Sequence, residues 1–195
     1  MAVGPDAPFL KEALDSLEEQ TFRDFEVLIQ REPGIHKAWN VGARKASGEY
    51  LAIMDSDDVA APTRLEAEVW EMDSDRELGV VAAWARCFGK SVRMVRHPVR
   101  ITKSTLLLRN PIVNGACMVR KEVAMPYGPW RATPWIDYDL WCRMAAQGVK
   151  MLNIPKVLVF RREHDANDSR GRPLSRLIHG EVSARWQLLG RSPPD

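Results

Sequence analysis

The sequence predicts a single α/β domain in which a mostly parallel central sheet is flanked by helices. Three features predict it. Continuous apolar runs at 50–54 and 80–85, bounded by turn residues, read as buried strands of such a sheet. Stretches at 10–17, 35–46, 62–72 and 137–147 carry apolar residues at helical spacing. A chain of 195 residues, 45% of them hydrophobic, buries one substantial core.

In chain order, residues 1–8 read as a lead-in loop, with Pro8 opening a helix whose buried stripe is Leu10, Ala13, Leu14 and Leu17. A turn at 21–24 leads into an expected strand, Phe25 to Ile29. Pro33-Gly34 then punctuates, and a helix from Ile35 to Ala46 follows. Tyr50 to Met54 is the central strand. Pro62 starts the next helix, with Leu65, Val69 and Met72 on its buried face. Val80 to Ala85 is a second buried strand, and Ile112 to Val119 a third, interrupted by Asn114-Gly115. Tyr127, Trp130 and Trp135 lie in or beside a loop at 126–134, as a sugar-stacking platform or as ordinary core aromatics. The helix from Asp137 ends near Gln147, with Gly148 in a stop position. Strands at 150–153 and 157–160 are expected on either side of Pro155, and a final amphipathic helix at 173–190.

Composition narrows the classes of function. A net charge of +2 is too small to argue for nucleic acid. Cys87, Cys117 and Cys142 are widely spaced, odd in number and without a CxxC pair. They imply buried thiols in a reduced compartment rather than a disulfide frame or zinc site. Neither a secretory leader nor a membrane-length apolar stretch is recognisable, so a cytoplasmic protein is expected. No acid occurs between Glu77 and Glu122, a gap that holds Arg86, Lys90, Arg93, Arg96, Arg100, Lys103, Arg109, Arg120 and Lys121. Such a block reads either as a basic face toward a phosphate-bearing acceptor or membrane surface, or as a solvated face balanced by acidic helices.

The stretch that carries chemistry is GEYLAIMDSDD, 48–58. Asp55, Asp57 and Asp58 follow the central strand, at the sheet edge where open α/β folds bind ligands. In extended backbone Asp55 and Asp57 point the same way. Two convergent carboxylates repel unless a cation lies between them, and hard divalent ions take such ligands together with substrate phosphates. The alternative is a solvated acidic turn before the helix at Pro62.

LKEALDSLEEQTFRDFEVLI, GIHKAWNVGARKASGEYLAIMDSDD and the segments near Asn114, Asp137 and His164 together resemble a family 2 glycosyltransferase of the GT-A fold. The resemblance implies transfer of a sugar, with inversion, from a nucleotide-diphosphate donor to a hydroxyl acceptor such as a glycan or lipid-linked glycan. It implies Mn2+ or Mg2+ held by Asp55 and Asp57, with His164 as a further ligand. It places Asn40, Asn114 and Gly115 beside the donor and acceptor. In IDYDLW it makes Asp137 the catalytic base, with Asp139 as fallback and Ile136 where relatives carry a first acid. Two departures stand out. Nothing in residues 1–8 reads as the usual first strand, and Gln30-Arg31-Glu32 replaces the usual nucleotide-contacting acids, leaving only Glu32. These motivate a second reading, an accessory binding module on the same fold. A sugar-phosphate nucleotidyltransferase is opposed by the absence of a glycine-rich N-terminal phosphate loop.

Overall fold

The computed structural model describes residues 1–165 together with Ala184, Arg185, Leu188 and Leu189; the expected helix at 173–190 otherwise lies outside the described residues. The strands are β1 (Tyr50–Ile53), β2 (Val59–Ala60), β3 (Leu78–Gly89), β4 (Arg93–Val95), β5 (Arg100–Ile101), β6 (Cys117–Arg120) and β7 (Lys150–Glu163). The helices are α1 (Leu10–Glu18), α2 (Ile35–Lys45), α3 (Arg64–Ser74), α4 (Lys103–Leu108), α5 (Lys121–Ala124) and α6 (Ile136–Ala146). One sheet runs in the order β1-β6-β3-β7-β2, with β4 on β3 and β5 on β7.

Alternation along the strands sorts the core into two layers. Leu51, Ile53, Val80, Ala82, Cys117 and Val119 face Trp39 and Ala43 of α2, Leu106 of α4, and Leu140, Trp141 and Met144 of α6. Ala184 and Leu188 join this layer. The intervening positions Val81, Ala83, Ala85, Met118 and Ile154 face Leu65 and Met72 of α3. Ala13 and Leu17 of α1 pack on Met54 and Ala60, over the end of β1. The α/β sheet flanked by helices is therefore as expected.

The strand senses are more mixed than the sequence predicts. β1, β3 and β7 share one direction, but β6 runs between β1 and β3 in the opposite sense. Among the named strands only the long β3–β7 ladder is parallel. The expected pair of strands around Pro155 is one strand, β7. Ile154 lies opposite Ala83 and Val157 opposite Trp84, so Pro155 and Lys156 are accommodated in a register shift. A proline without an N–H is tolerated at such a bulge. The expected strand at 112–119 begins only at Cys117, as β6, because Asn114–Ala116 form a 3-10 turn before it. The expected strand at 25–29 makes no ladder. Conversely, Ala2 is not loop: it bridges in parallel sense to both Gln30 and Asp55.

A buried ion pair braces the functional edge. Arg64 Nε lies 3.1 Å from Glu68, with both side chains sealed from solvent. The same guanidinium donates to the carbonyls of Ile53 at 2.7 Å and Cys117 at 3.4 Å, clamping the end of β1 to the start of β6. Burial alone would make this pair costly, and the extra hydrogen bonds offset that. The basic block at 86–121 is not one continuous face. Arg120 is buried and donates to the carbonyls of Leu78 and Met72. Arg93 pairs with Glu163 at 2.8 Å, and Lys103 donates to the Ala146 carbonyl. Cys87, Cys117 and Cys142 are buried free thiols. Among the described residues no helix is long and apolar enough to cross a membrane.

Candidate functional site

Because β1 and β7 share a direction and β6 opposes them, three chain segments meet at one sheet edge. They are residues 55–58 after β1, the turn at 114–116 before β6, and residues 161–164 at the end of β7. The first turn of α6 brings Asp137 to the same place. Its charge acts on Asp55 through space.

Asp55 is pushed up to about 6, chiefly by burial and then by the neighbouring charge of Asp57; Arg161 and Arg64 oppose this and Asp137 adds to it. Asp57 Oδ2 is 2.9 Å from His164 Nε2. The His164 ring in turn tilts against Phe9, with centroids 5.2 Å apart. Asp137 is also pushed up by burial, while the Tyr138 backbone N–H, Asn110 and Arg161 hold it down. Asn110 Nδ2 donates to Asp137 Oδ2 at 3.0 Å, which fixes one oxygen of the carboxylate. Asn114 Oδ1 is buried without a protein partner among the described residues. Gly115 is needed for space: a Cβ there would meet Asp55 Oδ2 at 2.9 Å and Asp58 Oδ2 at 3.2 Å.

Asp58, Arg161 and Arg162 belong to the same constellation; Asp58 was read from the sequence only as a member of the acidic cluster, and no role was read for Arg161 or Arg162. Asp58 is almost wholly buried, and Oδ1 accepts from the Arg162 N–H at 2.9 Å. Its Oδ2 has no partner among the described residues. Burial, then the Asp55 charge, pushes Asp58 up to about 8. Arg162 donates through Nε to the Asp57 carbonyl at 3.0 Å and is stacked between Phe9 and Phe88. Arg161 is the cation that acts in common on Asp55, Asp58 and Asp137. The one sequence signal for these residues was adjacency to Asp57 and His164.

Raised carboxyl pKa values have a signed consequence. Between the unfolded value near ~4 and the folded values of about 6 and about 8, the folded protein binds more protons than the unfolded chain. Metal-free protein is therefore expected to lose stability as pH rises through that window, by up to about 1.4 kcal/mol per pH unit per proton. Asp58→Asn, which keeps the acceptor for Arg162, should flatten the upper part of that slope. Thermal melts in EDTA between pH 5 and pH 8 check this; an unchanged slope in the variant would assign the effect elsewhere.

Three expected residues are placed differently. Asn40 gives both ends of its amide to Trp130: Nδ2 donates to the Trp130 carbonyl at 2.7 Å, and Oδ1 accepts from its N–H at 3.1 Å. It anchors the loop at 126–134 to α2. Asn40→Ala should cost roughly 1–3 kcal/mol by stranding both backbone groups, measured by denaturant unfolding. Trp130 is buried against Trp39, with centroids 5.8 Å apart, and is no stacking platform for a sugar. Asp139, the fallback base, is buried in an ion pair with Arg143 at 2.9 Å. Arg143 also donates to the carbonyls of Tyr127 and Pro129, so Asp139 orders that loop instead.

The fold and sequence have known relatives. In the amylovoran biosynthesis glycosyltransferase AmsE of Erwinia amylovora, 28% of 139 aligned residues are identical, covering 68% of this chain and 52% of that protein. S. aureus TarS 1-349 in complex with UDP-GlcNAc superposes with a TM-score of 0.72 at 15% identity, over 96% of this chain and 70% of that one. The mannosyltransferase PcManGT from Pyrobaculum calidifontis, in complex with GDP-Man and Mn2+, superposes with a TM-score of 0.67 at 18% identity, over 99% and 64%. The sheet and its helices are thus the GT-A fold. The chain spans about half to two thirds of the length of its curated relatives. The sequence profile of glycosyl transferase family 2 matches residues 30–128, from the Gln30 bridge to the loop after α5, and the chain belongs to that family.

Proposed function

We propose that this domain moves a glycosyl group, with inversion, from a nucleoside-diphosphate sugar to a hydroxyl of a glycan or lipid-linked glycan, in polysaccharide assembly. The observation that carries the proposal is that Asp57 and Asp137 are both near enough for their charges to act on the desolvated Asp55 at the end of β1. Donors of this class are bound by the two structural neighbours, and AmsE works in the synthesis of a polysaccharide.

The residues at the edge fit a divalent cation. Asp55 is a desolvated carboxylate pressed by a second one, an arrangement that a positive charge relieves. The donors are hard oxygens, suited to Mn2+ or Mg2+. Asp55 and Asp57 would hold the ion, with His164 beside Asp57 as a further ligand. Among the described residues no three acidic, His or Cys side chains form a ready cage, so substrate phosphate oxygens would have to share the ion with them, as is usual for such ions. Once bound, the cation supplies positive charge for the departing diphosphate.

Asp137 takes the proton of the acceptor hydroxyl. Asn110 donates to its Oδ2 and the Tyr138 backbone N–H donates to the same carboxylate, which holds the group in place for the alcohol. Burial raises its affinity for that proton, which suits a general base. Attack on the face opposite the diphosphate inverts the anomeric carbon. Arg161 keeps the three acids from accumulating uncompensated charge, and Gly115 leaves room for substrate between them. Incubation with UDP-GlcNAc, GDP-mannose and related donors plus Mn2+ tests the reading. Metal-dependent release of the nucleoside diphosphate is expected, and its absence across the panel would favour the accessory binding module.

A further inference from the structure

The β3–β4 hairpin and the crossing that follows it, residues 86–109, carry a surface that the site's chemistry does not use. No acid occurs in this stretch. Two acids at and just past the end of β7 reach it, and each has a cation of its own: Glu163 pairs with Arg93 at 2.8 Å, and Asp165 with Lys90. Arg86, Arg96 and Arg109 are exposed and have no carboxylate partner among the described residues. Nine large apolar side chains are left exposed among the described residues, and four of them fall in this one stretch. They are Val92 at 69%, Met94 at 41%, Val99 at 46% and Leu108 at 78%.

Local geometry gathers these side chains. Arg86 lies directly opposite Met94 in the β3–β4 ladder, so the two share a side of the sheet. Two residues along each strand, on the same side, the Arg96 guanidinium covers the Trp84 ring at 5.5 Å from its centroid. The Trp84 indole N–H donates to the His97 carbonyl at 2.9 Å, which lays the crossing against β3. Burial and then the Arg109 charge lower the pKa of His97, so Arg109 stands beside the same crossing. Apolar and basic positions interleave along Val92, Arg93, Met94, Val95 and Arg96. The core of a protein interface is depleted of charge. A mixed, acid-free surface suits lipid instead, where aliphatic groups sit at the headgroup boundary and arginine stems reach out to phosphates.

We propose that this face docks the domain on an anionic phospholipid bilayer, with Val92, Met94 and Val99 at the headgroup boundary and Arg86, Arg96 and Arg109 on lipid phosphates. The face adjoins the site at two points. The Lys90 N–H and the Ser91 hydroxyl donate to Glu163, the residue before His164. Arg109 precedes Asn110, whose amide donates to Asp137. Docking would bring the acceptor side of the site close to the bilayer, within reach of a lipid-linked hydroxyl. That consequence rests on the role proposed for Asp137; the docking itself does not.

Cosedimentation of the full chain with vesicles tests the proposal without donor or metal, so its failure is separate from failure of the glycosyl-transfer reading. Vesicles of mixed phosphatidylglycerol and phosphatidylcholine should bind the protein at least about tenfold more tightly than phosphatidylcholine alone. Binding should weaken as salt rises. Arg86→Gln and Arg96→Gln should each lose about fivefold, and the triple variant with Arg109→Gln roughly a hundredfold. Val92→Ser with Met94→Ser should weaken the binding that survives at high salt. Trp70→Ser removes another exposed apolar side chain, on α3 against the other face of the sheet, and should change nothing. Equal binding to the two kinds of vesicle, binding to neither, or binding unaltered in the triple variant would overturn the proposal. A dimer that the same variants dissolve, with no vesicle binding, would give the face to a second copy and overturn it too.

Discussion

Replacing Asp137 with Asn is expected to slow glycosyl transfer by roughly 10²–10⁴-fold, the usual range for losing a positioned general base. Donor affinity should stay near the parent value. The substitution keeps size and leaves an oxygen for Asn110, so fold and donor side are spared; only the proton acceptor is lost. The parent enzyme should show an acid limb in its pH–rate profile above the ordinary carboxylate range, because burial raises Asp137. Activity falls as pH drops through that limb, since the base works deprotonated. Asp137→Asn should lack it. Full turnover in the variant would remove Asp137 as the base and leave no carboxylate for the task among the expected candidates, since Asp139 is paired with Arg143.

Asp57→Ala is expected to abolish Mn2+-dependent donor binding. The loss should exceed the roughly 10–100-fold typical of removing a residue that merely supports a ligand. The side chain touches His164 at 2.9 Å, so its removal also frees that ring. Asp57→Asn and His164→Ala separate the two effects. If the carboxylate charge is what matters, Asp57→Asn behaves like Asp57→Ala, and His164→Ala loses less. If the contact with His164 matters more, His164→Ala is the more damaging change. Steady-state kinetics over a range of Mn2+ concentrations distinguish the two.

What was legible in the sequence was mostly local. The helices at 10–18, 35–45, 64–74 and 136–146 follow from apolar spacing and from Pro and Gly punctuation. β1 follows from a bounded apolar run, and Asp55 and Asp57 follow from their place after it. Features that depend on distant partners were not legible. Asn40 is claimed by a backbone ninety residues away. Trp130 looks like a sugar platform until Trp39 is found against it. Asp58 reads as one more acid in a cluster, yet it is the most buried of that cluster by exposure, and the Arg162 backbone N–H donates to it. Pro155 promises a break that the register shift against β3 absorbs. Residues 25–29 have every local property of a strand and still form no ladder, because a strand needs a neighbour. Residues 1–8 look like loop for the opposite reason: they carry no strand pattern of their own, yet Met1, Ala2 and Val3 are tied to Leu28, Gln30 and Asp55 by distant backbone.

The central claim is that Asp55 and Asp57 bind the donor through a divalent cation, while Asp137 serves a separate step. Calorimetric titration of UDP-GlcNAc and GDP-mannose, with Mn2+ and with EDTA, into the parent, Asp57→Ala and Asp137→Asn proteins tests it most directly. The account predicts that one of these donors binds the parent and Asp137→Asn proteins with similar affinity, only with Mn2+, and fails to bind Asp57→Ala. Donor binding by Asp57→Ala equal to that of the parent would contradict it.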